Sequence, residues 1–531
     1  MRKYSALLIL LLTKLSSNSQ SFISEYNKYD VYYYQLNVKI DPSEKAISGI
    51  THFYFRLLEE TEQFSFHLYE NYEIDSIIFY DNKLKYVRDK KVISATLPSI
   101  QHKNCKEIIK VYYKGKPNEA KNPPWDGGFV WKSDSLKRPW IGVACQGLGA
   151  SSWWPCKDVY YDEPDSMRMS FEVPSNLTCI SNGTFEGSQI LQNNYTRYNW
   201  KISYPVNLYN VTLNAGHYIS FHEQYFRKKD TLNLNFYVID YNLRKAKSHF
   251  AQTHTILASL ESLYGLYPFK KDGYALIETS YLGMEHQSAI SYGNKYKNDL
   301  GNFDYIILHE SAHEWWGNSI TAYRPEELWI HESFATYTEC LFIEKLYGRA
   351  MAQKYLDYQT KYIKNSNPII MESAEKFWED TDMYYKGAWM LHTIRSIIDN
   401  DLLWYSILKE YSESRKISIV NTADIVKFFS EKSGLDLHPV FYQYLQSAKI
   451  PTFTYNIYKS KNNAVIVYKW ENVESGFKMP IELTINDKDK LRIFPTTETK
   501  STILKKTRPN KVKVRTDLFY ISTNLTTAIK E

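Results

Sequence analysis

The run His309-Glu310-Ser311-Ala312-His313 is followed, nineteen positions after His313, by Glu332 in the segment Trp329-Ile330-His331-Glu332-Ser333-Phe334-Ala335. His309 and His313 are four residues apart in an apolar stretch that reads as helix, so their imidazoles share one face. At about 5–6 Å between Cβ atoms they are close enough to bind a single Zn²⁺. A five-residue match alone arises readily by chance, and what strengthens it here is Glu332. A catalytic zinc takes a third protein ligand and keeps one position for water. The spacing lets a first helix end near Gly317-Asn318, a loop pass through Pro325, and an antiparallel second helix return Glu332 to the metal. Glu326 and Glu327 fall near the start of that second helix, where acidic side chains suit its dipole. Glu339, seven residues past Glu332 and on the same face, is placed to accept an N–H from a ligand histidine. Glu310 is adjacent to His309 and points about 100° away from it. Its expected role is therefore general base beside the metal, taking a proton from the attacking water and returning it to a leaving amine.

Outward from this centre the pattern changes twice. From about residue 30 to 220 apolar and polar residues alternate, as in Tyr34-Gln35-Leu36-Asn37-Val38-Lys39-Ile40, with turn signals at Asp41-Pro42 and Asn182-Gly183. This predicts a β-rich region of antiparallel sheets. Near Asn242 a 3.6-residue period takes over: Phe250, Ile256, Leu257, Leu260, Leu263 and Tyr264 share a face, and Gly265 can end the helix. Helical stretches continue to about Gln446, after which Ala464 to Trp470 and Ile481 to Ile485 alternate again, as in a small β-sandwich.

The 531 residues exceed one ordinary domain, and 44% apolar with 23% charged residues is a globular profile. Arg2 and Lys3 precede the apolar run Ala6 to Leu12 and the small polar stretch Ser16 to Ser19, the pattern of a signal peptide over residues 1–19. The expectation is export to a periplasm or the extracellular space. The apolar run is far shorter than the ~20 residues of a membrane span, and no later stretch is long enough, so no stable membrane insertion of the mature chain is expected. Loss of Arg2, Lys3 and Lys14 from a formal charge of +6 leaves +3, with no basic cluster for nucleic acid. Five cysteines leave at least one unpaired; Cys145 and Cys156 could bridge, but connectivity stays open, as does oligomeric state.

With these residues in place the chain resembles the aminopeptidase N family of gluzincin metallopeptidases, which includes the leukotriene hydrolases. The likeness extends past the zinc motif to His313-Glu314-Trp315-Trp316-Gly317-Asn318, where the family reads H-Q-W-F-G-N, and spans the mature chain. It implies an α+β multidomain fold: a saddle-like β-rich N-terminal domain over 20–221, a mostly helical, thermolysin-like catalytic domain over 222–446, and a small β-sandwich over 447–531. The family's G-x-M-E-N signature stands here as Gly283-Met284-Glu285-His286, after Leu282. By resemblance Gly283, Met284 and Glu285 bind substrate, Glu285 holding the free α-amino group, and Gln146 assists it. Tyr384-Tyr385-Lys386-Gly387 resembles Y-x-K-G, which makes Tyr384 the donor to the tetrahedral oxyanion. His286, Glu314, His331, Ser333 and Leu282 depart from the usual pattern, at positions that bear on side-chain preference and pH dependence.

What the resemblance implies is one Zn²⁺ per chain and hydrolysis of N-terminal residues from peptides with a free N-terminus. Three other readings share part of this residue pattern. A thermolysin-like endopeptidase would use the same four zinc-site residues without the amine anchor, an exported peptide-binding protein would have lost catalysis on this scaffold, and an epoxide-opening hydrolase would follow the leukotriene branch.

Overall fold

The computed structural model describes residues 26–299, 302–371 and 380–527, so the signal-peptide reading of residues 1–19 falls outside the described residues. Contacts divide the chain into two compact units, one built on residues up to 251 together with 269–297, the other on 252–268 together with 298–531.

The first unit is β-rich. Its largest sheet has Tyr29–Asp41 near the middle, with alternate side chains buried as the period of two predicts. A tight turn joins Tyr29–Asp41 to its antiparallel neighbour Ala46–Leu57; in that turn Asp41 Oδ1 accepts the amides of Ser43 (3.0 Å) and Glu44 (3.2 Å). On its other side the same strand runs parallel to Ser166–Pro174, with Leu36 opposite Met169. Alternation of apolar residues is identical in parallel and antiparallel strands, so this one parallel pair within a sheet expected to be antiparallel has no signature in the sequence.

A second, five-stranded sheet in this unit has the order Tyr218–Phe226, Thr231–Ile239, Tyr274–Glu278, Ile290–Tyr292, Gly283–Met284. Its three inner strands are parallel, and Tyr274–Glu278 is buried at every residue, the continuous run that suits a strand covered on both faces. The two-residue edge strand pairs Gly283 with Tyr292 and Met284 with Ser291, which fixes the backbone immediately before Glu285.

The second unit is helical and ends in two small sheets. Its central helix, Trp329–Tyr347, is buried on all sides from residue 329 to 343 and is ended by Gly348 at φ 84°. Tyr305–Ala312, Arg349–Gln359 and Asp382–Ile398 pack around it. After the last helix, His438–Gln446, the strands Thr452–Ser460, Asn463–Glu471, Lys500–Leu504 and Ser522–Leu525 form one sheet, and Ile481–Ile485, Asp489–Ile493 and Val512–Val514 another. Buried Trp470, on the first sheet, donates its indole N–H to the carbonyl of Met479 (3.2 Å) and packs on Phe453 and Phe477. These are the α+β layers expected from the alternation of periods. The five cysteines are unpaired, Cys145 and Cys156 included. Among the described residues no helix is long and apolar enough to cross a membrane.

Candidate metal centre

The second unit brings His309, His313 and Glu332 to one point. The two Nε2 atoms are 3.2 Å apart, and Glu332 Oε2 is 3.5 Å from each of them. Ligands at 2.0–2.1 Å around a tetrahedral zinc are separated by about 3.3–3.4 Å, so the three atoms already mark one face of such a tetrahedron.

Protonation supports the same reading. His309 Nδ1 lies 2.8 Å from Glu339 Oε1, and His313 Nδ1 lies 2.9 Å from the Trp316 carbonyl. Both partners accept, so each Nδ1 carries the proton and each neutral ring turns the Nε2 lone pair inward. Glu332 Oε2 is buried and has no hydrogen-bond partner. Two ring nitrogens and a buried carboxylate oxygen facing one another at these distances suit a cation, and two imidazoles with one carboxylate are a donor set that zinc takes.

Local sequence explains each placement. Asp304 caps the Tyr305–Ala312 helix by accepting the Ile306 amide (3.0 Å), and the helix gives way to the turn that contains Gly317. At Gly317 φ is 135°, and a Cβ there would lie 3.3 Å from His313 Nδ1 and 3.5 Å from His331 Cγ. Trp316 is clamped face to face by Phe334 (3.8 Å between centroids, 7° between planes) and by Tyr411 (5.9 Å, 2°), which fixes the carbonyl that orients His313. Glu339 also accepts the Tyr355 hydroxyl and Gln359 Nε2 (3.3 Å) on its other oxygen. Tyr355 and Gln359, i and i+4 on the Arg349–Gln359 helix, are contributors that the motif spacing gave no reason to single out.

Glu310 is 7% exposed, and a carboxylate oxygen lies within 4.8 Å of a His313 ring nitrogen. The Tyr384 ring is 6.3 Å from that of His309 and inclined 26° to it, whereas Tyr385 stacks on Tyr362 at 5.2 Å. Tyr384 therefore neighbours the metal ligand His309, and Tyr385 packs on Tyr362. The helix that carries both is seated against Ser333, whose hydroxyl donates to the Met383 carbonyl (2.6 Å). Gly387 makes that approach possible: a Cβ at 387 would sit 1.8 Å from Ser333 Oγ.

In the first unit Glu285 is 3% exposed, and its Oε1 accepts from Gln146 Nε2 (2.7 Å) and from the Tyr209 hydroxyl (3.0 Å). Gln146 is thus joined to Glu285, and Tyr209 is a further donor, 76 positions away in sequence, that no motif flagged. Gly283 and Met284 are the edge strand that leads into this carboxylate.

Residues that depart from the family pattern are enclosed and partnered. Glu314 accepts from Tyr267 (2.7 Å) and Asn318 (3.3 Å), and His331 Nε2 accepts the Ala322 amide (2.8 Å). His286 bonds Ser291 Oγ through Nδ1 (3.0 Å), and burial pushes its imidazole down to about 3. Leu282 contributes its carbonyl to the Gly293 amide (2.8 Å).

Residues 253–444 match the Peptidase family M1 domain. The probable aminopeptidase 1 of Sulfurisphaera tokodaii is 23% identical over 202 residues, covering 34% of this chain and 25% of that protein. Leukotriene A-4 hydrolase of Xenopus laevis is 22% identical over 315 residues, covering 55% and 49%. The chain spans about a quarter to a half of the length of the curated relatives it matches. The M1 zinc metallopeptidase from Deinococcus radiodurans superposes with a TM-score of 0.68 at 18% identity, over 80% of this chain and 94% of that one, which shows a shared fold. Residues 253–444 are thus similar to the Peptidase family M1 domain, and the chain shares its fold with an M1 zinc metallopeptidase.

Proposed function

We propose that this protein is a zinc-dependent aminopeptidase that removes N-terminal residues from peptides. The observation that carries the proposal is the convergence of His309, His313 and Glu332 on one cation position, with Glu310 beside it. These three residues would hold one Zn²⁺ per chain, and the ion, when bound, would supply Lewis acidity that polarises the scissile carbonyl and acidifies water. Glu310 takes the proton of the attacking water as the oxygen adds to the carbonyl carbon. It then returns that proton to the nitrogen as the C–N bond breaks, so the carboxylate ends as it began. Tyr384 donates its hydroxyl to the oxygen on which negative charge develops. Glu285, held by Gln146 and Tyr209, pairs with the substrate's α-ammonium, and this pairing makes a chain terminus the preferred substrate. Export of the protein is part of the same proposal and rests on the order Arg2, Lys3 and apolar run at the N-terminus.

The direct test is a panel of peptides offered with free and with acetylated N-termini, in the presence and absence of a chelator. Free peptides are expected to lose single residues from the N-terminus, acetylated ones to resist, and the chelator to abolish turnover. Equal cleavage of acetylated peptides would assign an endopeptidase instead, and no cleavage of either a binding protein.

The contact between Gly387 and Ser333 gives a second expectation. Gly387→Ala must push the Tyr384 helix off Ser333, at a cost of about 1–3 kcal/mol in stability for overpacking. Displacement of the oxyanion donor by a fraction of an ångström should lower kcat by roughly ten- to a hundredfold, with zinc content unchanged. Thermal denaturation and steady-state kinetics check both halves, and an unchanged kcat would show that the helix does not set the position of Tyr384.

A further inference from the structure

The two histidine ligands are held in different ways. His313 Nδ1 meets the carbonyl of Trp316, three residues on in its own turn, whereas His309 Nδ1 depends on a side chain, Glu339. Glu339 is 4% exposed, and a carboxylate so enclosed keeps its charge and its direction only while donors satisfy it. One oxygen takes the His309 N–H, and the other takes the Tyr355 hydroxyl and Gln359 Nε2. Burial and Glu339 itself make Tyr355 harder to ionise, so its hydroxyl stays a donor.

Both donors ride on the helix Arg349–Gln359, which is fixed from two sides. Gly348 alone separates it from the helix Trp329–Tyr347 that carries Glu332 and Glu339, and φ 84° with ψ 166° is a conformation that essentially only glycine adopts. A Cβ at 348 would meet nothing within 4 Å, so the demand there is on the backbone and not on space. From the other side Trp389 Nε1 donates to the Leu356 carbonyl (3.1 Å). Gln359 is buried, and its Oε1 has no hydrogen-bond partner among the described residues. An enclosed amide left half satisfied costs stability, and what this one supplies in return is an N–H to Glu339.

We infer that Tyr355 and Gln359 are positioning residues for the metal: through Glu339 they hold the His309 ring in the orientation that binds zinc, and so set how tightly the ion is retained. This rests on the zinc reading of His309, His313 and Glu332. Without the Tyr355 hydroxyl, Glu339 Oε2 keeps one donor at 3.3 Å, and the carboxylate can turn about its Cγ–Cδ bond. His309 then loses a fixed partner, while His313, held by a backbone carbonyl, does not. Direct partners of ligand histidines govern metal affinity by roughly 10–100-fold. Tyr355 stands one bond beyond such a partner, which places its effect at the lower end.

The test measures zinc affinity of the full chain by competition with a chromophoric chelator, together with the melting temperature of each zinc-free protein. Tyr355→Phe is expected to bind zinc about tenfold more weakly than wild type while melting within a few degrees of it. Gln359→Leu should weaken binding in the same direction by a smaller factor. Tyr358→Phe, on the same helix but with its hydroxyl toward Tyr362 (3.3 Å), should bind as wild type. Equal affinity in wild type and Tyr355→Phe, whatever the melting temperatures, overturns the inference and leaves the zinc reading standing, as does an equal loss in Tyr358→Phe. Should Tyr355→Phe fail to fold, unchanged affinity in Gln359→Leu overturns it instead. A wild-type chain that takes up no zinc overturns both. No arm uses a substrate, so each outcome is independent of whether peptides are cut from the N-terminus.

Discussion

Glu310→Gln is expected to bind one zinc ion per chain as the parent protein does, and to hydrolyse free N-terminal peptides about a hundred- to ten-thousandfold more slowly. The amide has the shape of the carboxylate and fills the same buried space, so the ligands His309, His313 and Glu332 keep their positions. What disappears is the proton acceptor. Glu310 lies on the same helix as both histidines, but one residue along from His309 it faces away from the ligand row, and neither the tautomers nor the orientation of the rings depends on it. Those are set by Glu339 and by the Trp316 carbonyl. Metal analysis alongside steady-state kinetics separates the two properties. Full turnover would remove Glu310 from the mechanism, and loss of zinc along with turnover would show it to be part of the ligand set.

Tyr384→Phe carries the second-largest expectation, a fall in kcat of about 10²–10³ with KM nearly unchanged. The phenyl ring preserves the packing beside His309, so only the O–H donor is lost. Negative charge builds on the substrate oxygen only as the transition state is reached, and a donor aimed at that charge contributes to the chemical step rather than to ground-state binding. Tyr385→Phe is the matched control. Its hydroxyl is made harder to ionise by burial and by Glu339, and its ring stacks on Tyr362, so kcat should stay within a few-fold of wild type. The reverse pattern in the two variants would transfer the role to Tyr385.

What could be read from the sequence is what short-range geometry controls. The i, i+4 spacing of His309 and His313, and the seven-residue step from Glu332 to Glu339, translate directly into faces of a helix, and the structure has Glu339 on His309 Nδ1 as that step requires. The change from alternation to a 3.6-residue period near Asn242 likewise placed the helices. Contacts that depend on how distant elements meet left no such trace. Tyr209 reaches Glu285 because a short turn and an edge strand converge, and nothing about an isolated tyrosine announces that. The parallel pairing of Tyr29–Asp41 with Ser166–Pro174 is equally silent, since either strand direction buries the same side chains. Glu314 and His331 read as residues beside a substrate because of their position in the motif. Burial and internal partners give them a structural part instead: Glu314 ties Tyr267 and Asn318 together, and His331 anchors the backbone at Ala322.

The Arg349–Gln359 helix presents Tyr355 and Gln359 to Glu339 on one side and Tyr358 to solvent on the next. Each added residue rotates a helix by about 100°. A single insertion or deletion ahead of Tyr355 would therefore swing the two donors away from Glu339. Point substitutions can vary the exposed Tyr358 independently, but changes in length cannot, so this helix is expected to tolerate variation in its exposed side chains while its residue count stays locked.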